Sequence, residues 1–111
     1  MNLLQAYCDC LKNGEAKRLS LLFTEDAIFY DDGPTKFGQK PINLIGRNKI
    51  EAFFQRVLKR GGLQIINIGI NKNAMRYDVK IGETLFLALG VMKEENNQIK
   101  EYIVNVVKNK V

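Results

Sequence analysis

The spacing of apolar residues changes once along this chain, at Gly61-Gly62, and that change limits the folds open to it. Before the two glycines the strongest signals are helical. Leu4, Tyr7, Cys8 and Leu11 recur at i, i+3, i+4, i+7, and Ile50, Phe53, Phe54, Val57 and Leu58 form a broader stripe of the same period. After the glycines the signal is all strand: Met75, Tyr77, Val79 and Ile81 alternate with Arg76, Asp78 and Lys80. Helices first and strands last is the α+β pattern, not βαβ alternation.

The boundaries follow from local chemistry. Residues 2–13 read as an amphipathic helix that Asn13-Gly14 ends, because glycine accepts the left-handed backbone. A second short helix runs from Glu15 to about Phe23, its glutamate at the positive end of the helix dipole. Ala27–Tyr30 is a strand, broken by Asp31-Asp32-Gly33-Pro34. Residues 34–46 form a loop with a short strand or turn near 42–45. Residues 48–60 are the long helix; Asn48 followed by Glu51 resembles a capping box, and Gly61-Gly62 stops it. Strands follow at 63–70, 75–81, 85–92 and 98–107. The third of these is almost continuously apolar, as in a central strand covered on both faces. Short turns between the four imply an antiparallel meander, and a curved meander with the long helix across its concave side makes a pocket.

Composition bounds what such a pocket can do. At 111 residues and 46% hydrophobic, the chain reads as one domain spanning 1–111 that needs no staple. It contains no histidine. That excludes Ser-His-Asp and Cys-His arrangements and removes the commonest zinc ligand, so no metal and no cofactor is expected. Any proton chemistry must use carboxylates, tyrosines, lysines or cysteines. The net charge is +5, but the 17 basic residues are scattered, with no aromatic–basic alternation, so no nucleic-acid partner is expected. Cys8 and Cys10 lie two apart on a helix, roughly 200° around its axis, so their thiols diverge and no internal disulfide is expected. This fits a reducing, cytoplasmic location. No signal peptide is visible, and the longest apolar run, 85–92, is too short to span a bilayer, so no membrane partner is expected.

Two segments carry a family resemblance. Gly14-Glu15-Ala16 through Leu22-Phe23-Thr24-Glu25-Asp26-Ala27-Ile28-Phe29 resembles a helix leading into a D-A strand, and Gly46-Arg47-Asn48-Lys49-Ile50-Glu51-Ala52-Phe53-Phe54 resembles a G-x-x-x-I-x-x-F helix start. With the closing Gly90-Val91-Met92 and Gln98-Ile99, these resemble the nuclear transport factor 2-like superfamily, which includes ketosteroid isomerases, polyketide cyclases and limonene epoxide hydrolases. The resemblance implies a curved, mostly antiparallel sheet wrapped around helices, a cone with an internal pocket (a cystatin-like α+β roll). It also implies a homodimer and a small apolar ligand. A fold of this kind fixes a cavity and not a reaction.

The resemblance also nominates residues. Asp31 matches the carboxylate base of the isomerases and Tyr7 their oxyanion-hole tyrosine. Together they suit proton transfer at a carbon next to a carbonyl, in an isomerase, cyclase or dehydratase. The position of the isomerases' second acidic donor is Leu89 here. Asp31 also suits a turn in which aspartates cap their own backbone, and Tyr7 suits plain core packing. Arg76 and Asp78 resemble the Arg-x-Asp strand of the epoxide hydrolases, although Val104, Phe29 and Asp31 replace that family's second aspartate, tyrosine and asparagine. A surface ion pair is the simpler reading of Arg76 and Asp78. Tyr30, Phe53, Met75, Tyr77, Leu89, Met92, Tyr102 and Val104 complete the expected pocket lining. The leading expectation is a domain binding a small apolar molecule; the alternatives are the two enzyme chemistries, or a dimeric protein-interaction module.

Overall fold

The computed structural model describes residues 2–108. Helix α1 (Leu3–Asn13) and the short α2 (Ala16–Ser20) lead into strand β1 (Phe23–Asp31). A single 3-10 turn (Gly33–Phe37), strand β2 (Ile42–Ile45) and helix α3 (Arg47–Val57) follow. Strands β3 (Ile65–Asn71), β4 (Ala74–Ile81), β5 (Thr84–Glu95) and β6 (Gln98–Lys108) complete the chain. The fold is α+β: three helices against an open six-stranded mixed sheet in the order β2-β1-β6-β5-β4-β3. β3 to β6 form the expected antiparallel meander, and β1 joins it parallel to β6. Among the described residues no helix is long and apolar enough to cross a membrane.

Local chemistry explains the ends of the elements. The Asn2 side chain accepts the Gln5 N–H at 3.0 Å and caps α1, which Gly14 closes in the left-handed region at φ 71°. The β5–β6 hairpin turns on Asn96-Asn97, both at positive φ, as a two-residue turn requires. Several boundaries differ from the sequence reading: α2 ends at Ser20 and β5 runs on to Glu95, and the starts of β1 and α3 also move. Strand β1 begins at Phe23 rather than at Ala27, because an irregularity between Phe23 and Ile28 lets it keep pairing with β6. Helix α3 starts one residue earlier than expected. Gly46 is its N-cap, with no side-chain capping bond, so Asn48 lies inside the helix and the capping box does not form.

Gly61-Gly62 has a different role from the expected one. The helix has already ended at Val57, and Gly62 instead lets the chain cross the end of α1. A Cβ there would lie 1.7 Å from the Lys12 carbonyl oxygen, while Leu63 donates its N–H to the Leu11 carbonyl at 2.8 Å. The crossing ties the start of the meander to α1. The core lies between the helices and the inner face of the sheet, with Leu4, Tyr7, Cys8, Leu11, Ile50 and Phe54 meeting Phe29, Met75, Tyr102 and Val104. Cys8 and Cys10 are both buried free thiols, since α1 is covered almost all round. Cys8 contacts the Met75 sulfur at 3.2 Å, and burial pushes its thiol up to about 11, so it is an inert packing group.

Candidate functional site

The core is filled at one end of the sheet and hollow at the other. Along the inner face, Tyr102 lies beneath Gly90 of β5, so closely that a Cβ on Gly90 would sit 2.0 Å from the tyrosine oxygen. The Tyr102 ring then meets Tyr7 edge-on with centroids 4.9 Å apart, and Tyr7 meets Phe23 and Phe54 in the same manner. These rings fill that end. Toward the opposite end of β5 and β6 the facing residues are Ala88, Phe86 and Val106, and a cavity of about 260 Å³ remains. Phe29, Phe53, Phe54 and Leu11 form its floor and helical wall. Tyr77, Val79 and Ile81 of β4 line the sheet side, and Phe37 packs on Phe86 with ring centroids 5.5 Å apart at its rim.

Asp31 enters this cavity from the last position of β1. Its side chain is half-buried, and its Oδ1 accepts the Gly33 N–H at 2.7 Å. This is the aspartate turn expected from Asp31-Asp32-Gly33-Pro34. Burial raises the Asp31 carboxyl above its ordinary value, the Gly33 hydrogen bond partly opposes this, and the neighbouring Asp32 adds to the rise. Asp32 does different work: its Oδ1 accepts the Val106 N–H at 2.6 Å and ties the turn to β6. Asp31 therefore serves as a turn residue and a cavity wall together.

Tyr7, Tyr77 and Gln39 also bring polar groups to the walls. Burial, chiefly, holds both phenols well above their ordinary range, so both stay protonated and able to donate. Asp31, Tyr7 and Tyr77 thus converge on one apolar space, from β1, α1 and β4.

Of the residues expected from sequence, Asp31, Tyr7, Phe53 and Tyr77 line the cavity. Met75, Met92, Tyr102 and Val104 do not; they are buried on the same inner face but belong to the packed end, where Tyr102 occupies the space. Tyr30 and Leu89 do not line it either, because strand alternation turns them to the outer face, where Leu89 is 45% exposed. Arg76 pairs directly with Leu89 in register and shares that outer face, its side chain 55% exposed. Asp78 follows Arg76 at i+2 and is buried there beneath the irregular part of β3, accepting the Asn67 amide at 2.8 Å and lying 3.9 Å from Arg76. The two face away from the cavity, so they cannot act together on an epoxide held in it. The surface ion pair of the simpler reading describes them only in part: Arg76 is exposed, but Asp78 is buried, and its Oδ1 has no hydrogen-bond partner among the described residues.

Sequence reasoning missed Phe86, Val106 and Phe37. Val106 was within reach, since it continues the alternation of Tyr102 and Val104, whereas the nearly all-apolar β5 gives no phase that marks Phe86. Nothing in the loop pattern marks Phe37.

No family model and no curated protein matches the sequence. Solved structures do match. An NTF-2 like protein of unknown function from Burkholderia xenovorans is 15% identical over 98% of this chain and 83% of that one, with a TM-score of 0.72. A protein from Kribbella flavida, provisionally assigned as a ketosteroid isomerase, is 13% identical over 98% of this chain and 78% of that one, also at 0.72. An LEH-like epoxide hydrolase of M. tuberculosis is 18% identical over 95% and 80% of the two chains, at 0.65. Together with the helix-lined face of the open sheet, these likenesses show that the chain has the nuclear transport factor 2-like fold, shared with ketosteroid isomerase-like proteins.

Proposed function

We propose that this chain binds a small, largely apolar molecule in the cavity between α1, α3 and the inner face of the sheet. The observation that carries the reading is the cavity itself: about 260 Å³, walled mainly by aromatic and aliphatic side chains, with Asp31, Tyr7 and Tyr77 as convergent polar groups. Calorimetric titration of the purified chain with cyclohexanone and cyclohexylmethanol tests it. Saturable binding is expected, and Val57→Trp should weaken it, because Val57 lines the cavity at a 40% exposed position where a larger side chain narrows the entrance without repacking the core. No saturation by either probe would contradict the reading.

A second reading, carboxylate-based proton transfer, is favoured by one specific observation: Asp31 and Tyr7 line the same cavity, and Asp31 is half-buried. In that reading Asp31 takes a proton from the carbon next to a carbonyl, and Tyr7 donates a hydrogen bond to the oxygen as charge develops there. Exchange of the α-protons of cyclohexanone in heavy water, followed by NMR, measures the chemistry. Catalysed exchange that Asp31→Asn abolishes would support it, and exchange no faster than in buffer would reject it.

The proposed partner is a second copy of the chain, seated on the outer face. The sequence reading covers β5 on both faces, yet within one chain Leu89 and Val91 are half-exposed, beside Ile103 and Val107 of β6. A second copy would cover them. Light scattering after gel filtration should give twice the chain mass for the unaltered protein and the single mass for Val91→Lys. A monomeric unaltered protein would refute the pairing.

A further inference from the structure

We propose that the molecule held in the cavity is an organic monocation, its ammonium group set against Asp31 and its apolar body against the ring walls. The proposal rests on the cavity being a binding site and names the class of ligand it takes. Three observations carry it.

First, among the described residues Asp31 is the only charged one that lines the cavity, and no described lysine or arginine does, in a chain with 17 basic and 12 acidic residues. The charge of the wall is therefore opposite to that of the molecule as a whole.

Second, the Asp31 carboxylate is poorly compensated. It accepts one hydrogen bond, from the Gly33 N–H, and among the described residues it forms no salt bridge. Its side chain is half-buried among apolar neighbours, with Asp32 next to it rather than a cation. A carboxylate placed so lacks a counter-charge. An ammonium group supplies both that charge and, where it carries hydrogen, a donor to the second carboxylate oxygen. A neutral ligand leaves the charge uncompensated, and an anion adds repulsion to it.

Third, the remaining walls suit a cation. Tyr7, Phe29, Phe53, Phe54, Tyr77 and Phe86 surround the space, with Phe37 at the rim. Aromatic faces carry negative potential and attract ammonium groups, more strongly where water is excluded. They also bury the apolar part of an alkylammonium ion.

Two probes of one shape separate the charge from the shape: cyclohexylmethylamine, a cation at pH 7, and cyclohexylmethanol, its neutral counterpart. Titration of the full chain should show the amine bound about tenfold or more tightly than the alcohol, as expected of a desolvated ion pair aided by ring faces. Asp31→Asn should remove most of that preference, so that the amine-to-alcohol affinity ratio falls toward one, its fold checked by circular dichroism. Equal affinities for the two probes in the unaltered chain would overturn the cation proposal and leave the cavity reading standing. Binding of neither would overturn both. An amine preference that persists in Asp31→Asn would also overturn it, since the attraction would then come from elsewhere on the protein.

Discussion

The inner and outer faces of β4 and β5 share one backbone and differ in everything that matters for function. Inward point Tyr77, Val79, Phe86 and Ala88, which are buried and line a cavity. Outward point Arg76, Leu89 and Val91, which are exposed. Tyr77 and Arg76 are adjacent in sequence, and only the pleat decides which of them faces the cavity. A chemically plausible pair such as Arg-x-Asp is therefore a site only if its parity is right. Here the parity that takes Tyr77 into the cavity takes Arg76 and Asp78 out of it.

The difference between the faces can be broken most severely at Phe29, which is buried against Phe23, Phe53, Phe54 and Tyr102. Phe29→Ala should cost about 3–5 kcal/mol in urea unfolding. Gly90→Ala comes next. Its new Cβ falls within 2.0 Å of the Tyr102 oxygen, so one added methyl should destabilise the chain by about 1–3 kcal/mol. Tyr102→Phe should act in the opposite direction. The Tyr102 hydroxyl is buried with no hydrogen-bond partner among the described residues, so removing it should stabilise by about 1 kcal/mol.

Asp31→Asn sharpens the comparison through pH. The folded carboxyl titrates above its ordinary value of 3.8, so the unfolded chain loses its proton first as pH rises. Between the two values the folded state holds more protons, and stability falls with rising pH. The contribution is fully present below the unfolded value and lost above the folded one. Asparagine cannot titrate, so Asp31→Asn should raise the melting temperature relative to the unaltered chain at pH 7 more than at pH 3. An equal difference at both would show that the carboxylate is not strained by burial. The smallest effect on the fold is expected outside: Leu89→Ser should change the stability of a single chain by about 0.5 kcal/mol or less.

Much of this was legible in the sequence, and the parts that were not share a cause. The period-3.6 stripes gave α1 and α3, and the alternation from Met75 to Ile81 set Tyr77 and Arg76 on opposite faces without saying which face lines the cavity. The β5 segment resisted, because a strand apolar on both sides has no readable phase; Leu89 looked as inward as Phe86. The capping pair Asn48–Glu51 misled, since Gly46 can begin the helix without a side-chain bond. Which inner residues line a cavity and which fill the core is a matter of volume. Tyr102 reaches under Gly90 and fills its end, while Ala88 and Val106 leave theirs open. No pattern of hydrophobicity encodes that outcome. Asp31 and Tyr7 were found by resemblance, and both line the one cavity.

The central claim is that the inner face takes a ligand and the outer face does not. The chain contains no tryptophan, so single tryptophans can report on each face separately. Phe53→Trp places one on the cavity wall, and Leu89→Trp places one on the outside of the same sheet. Titration with cyclohexylmethylamine should shift the emission of the first to a plateau at one ligand per chain and leave the second unchanged. A response of equal form from both positions, or a change at Phe53→Trp that never saturates, would contradict the account.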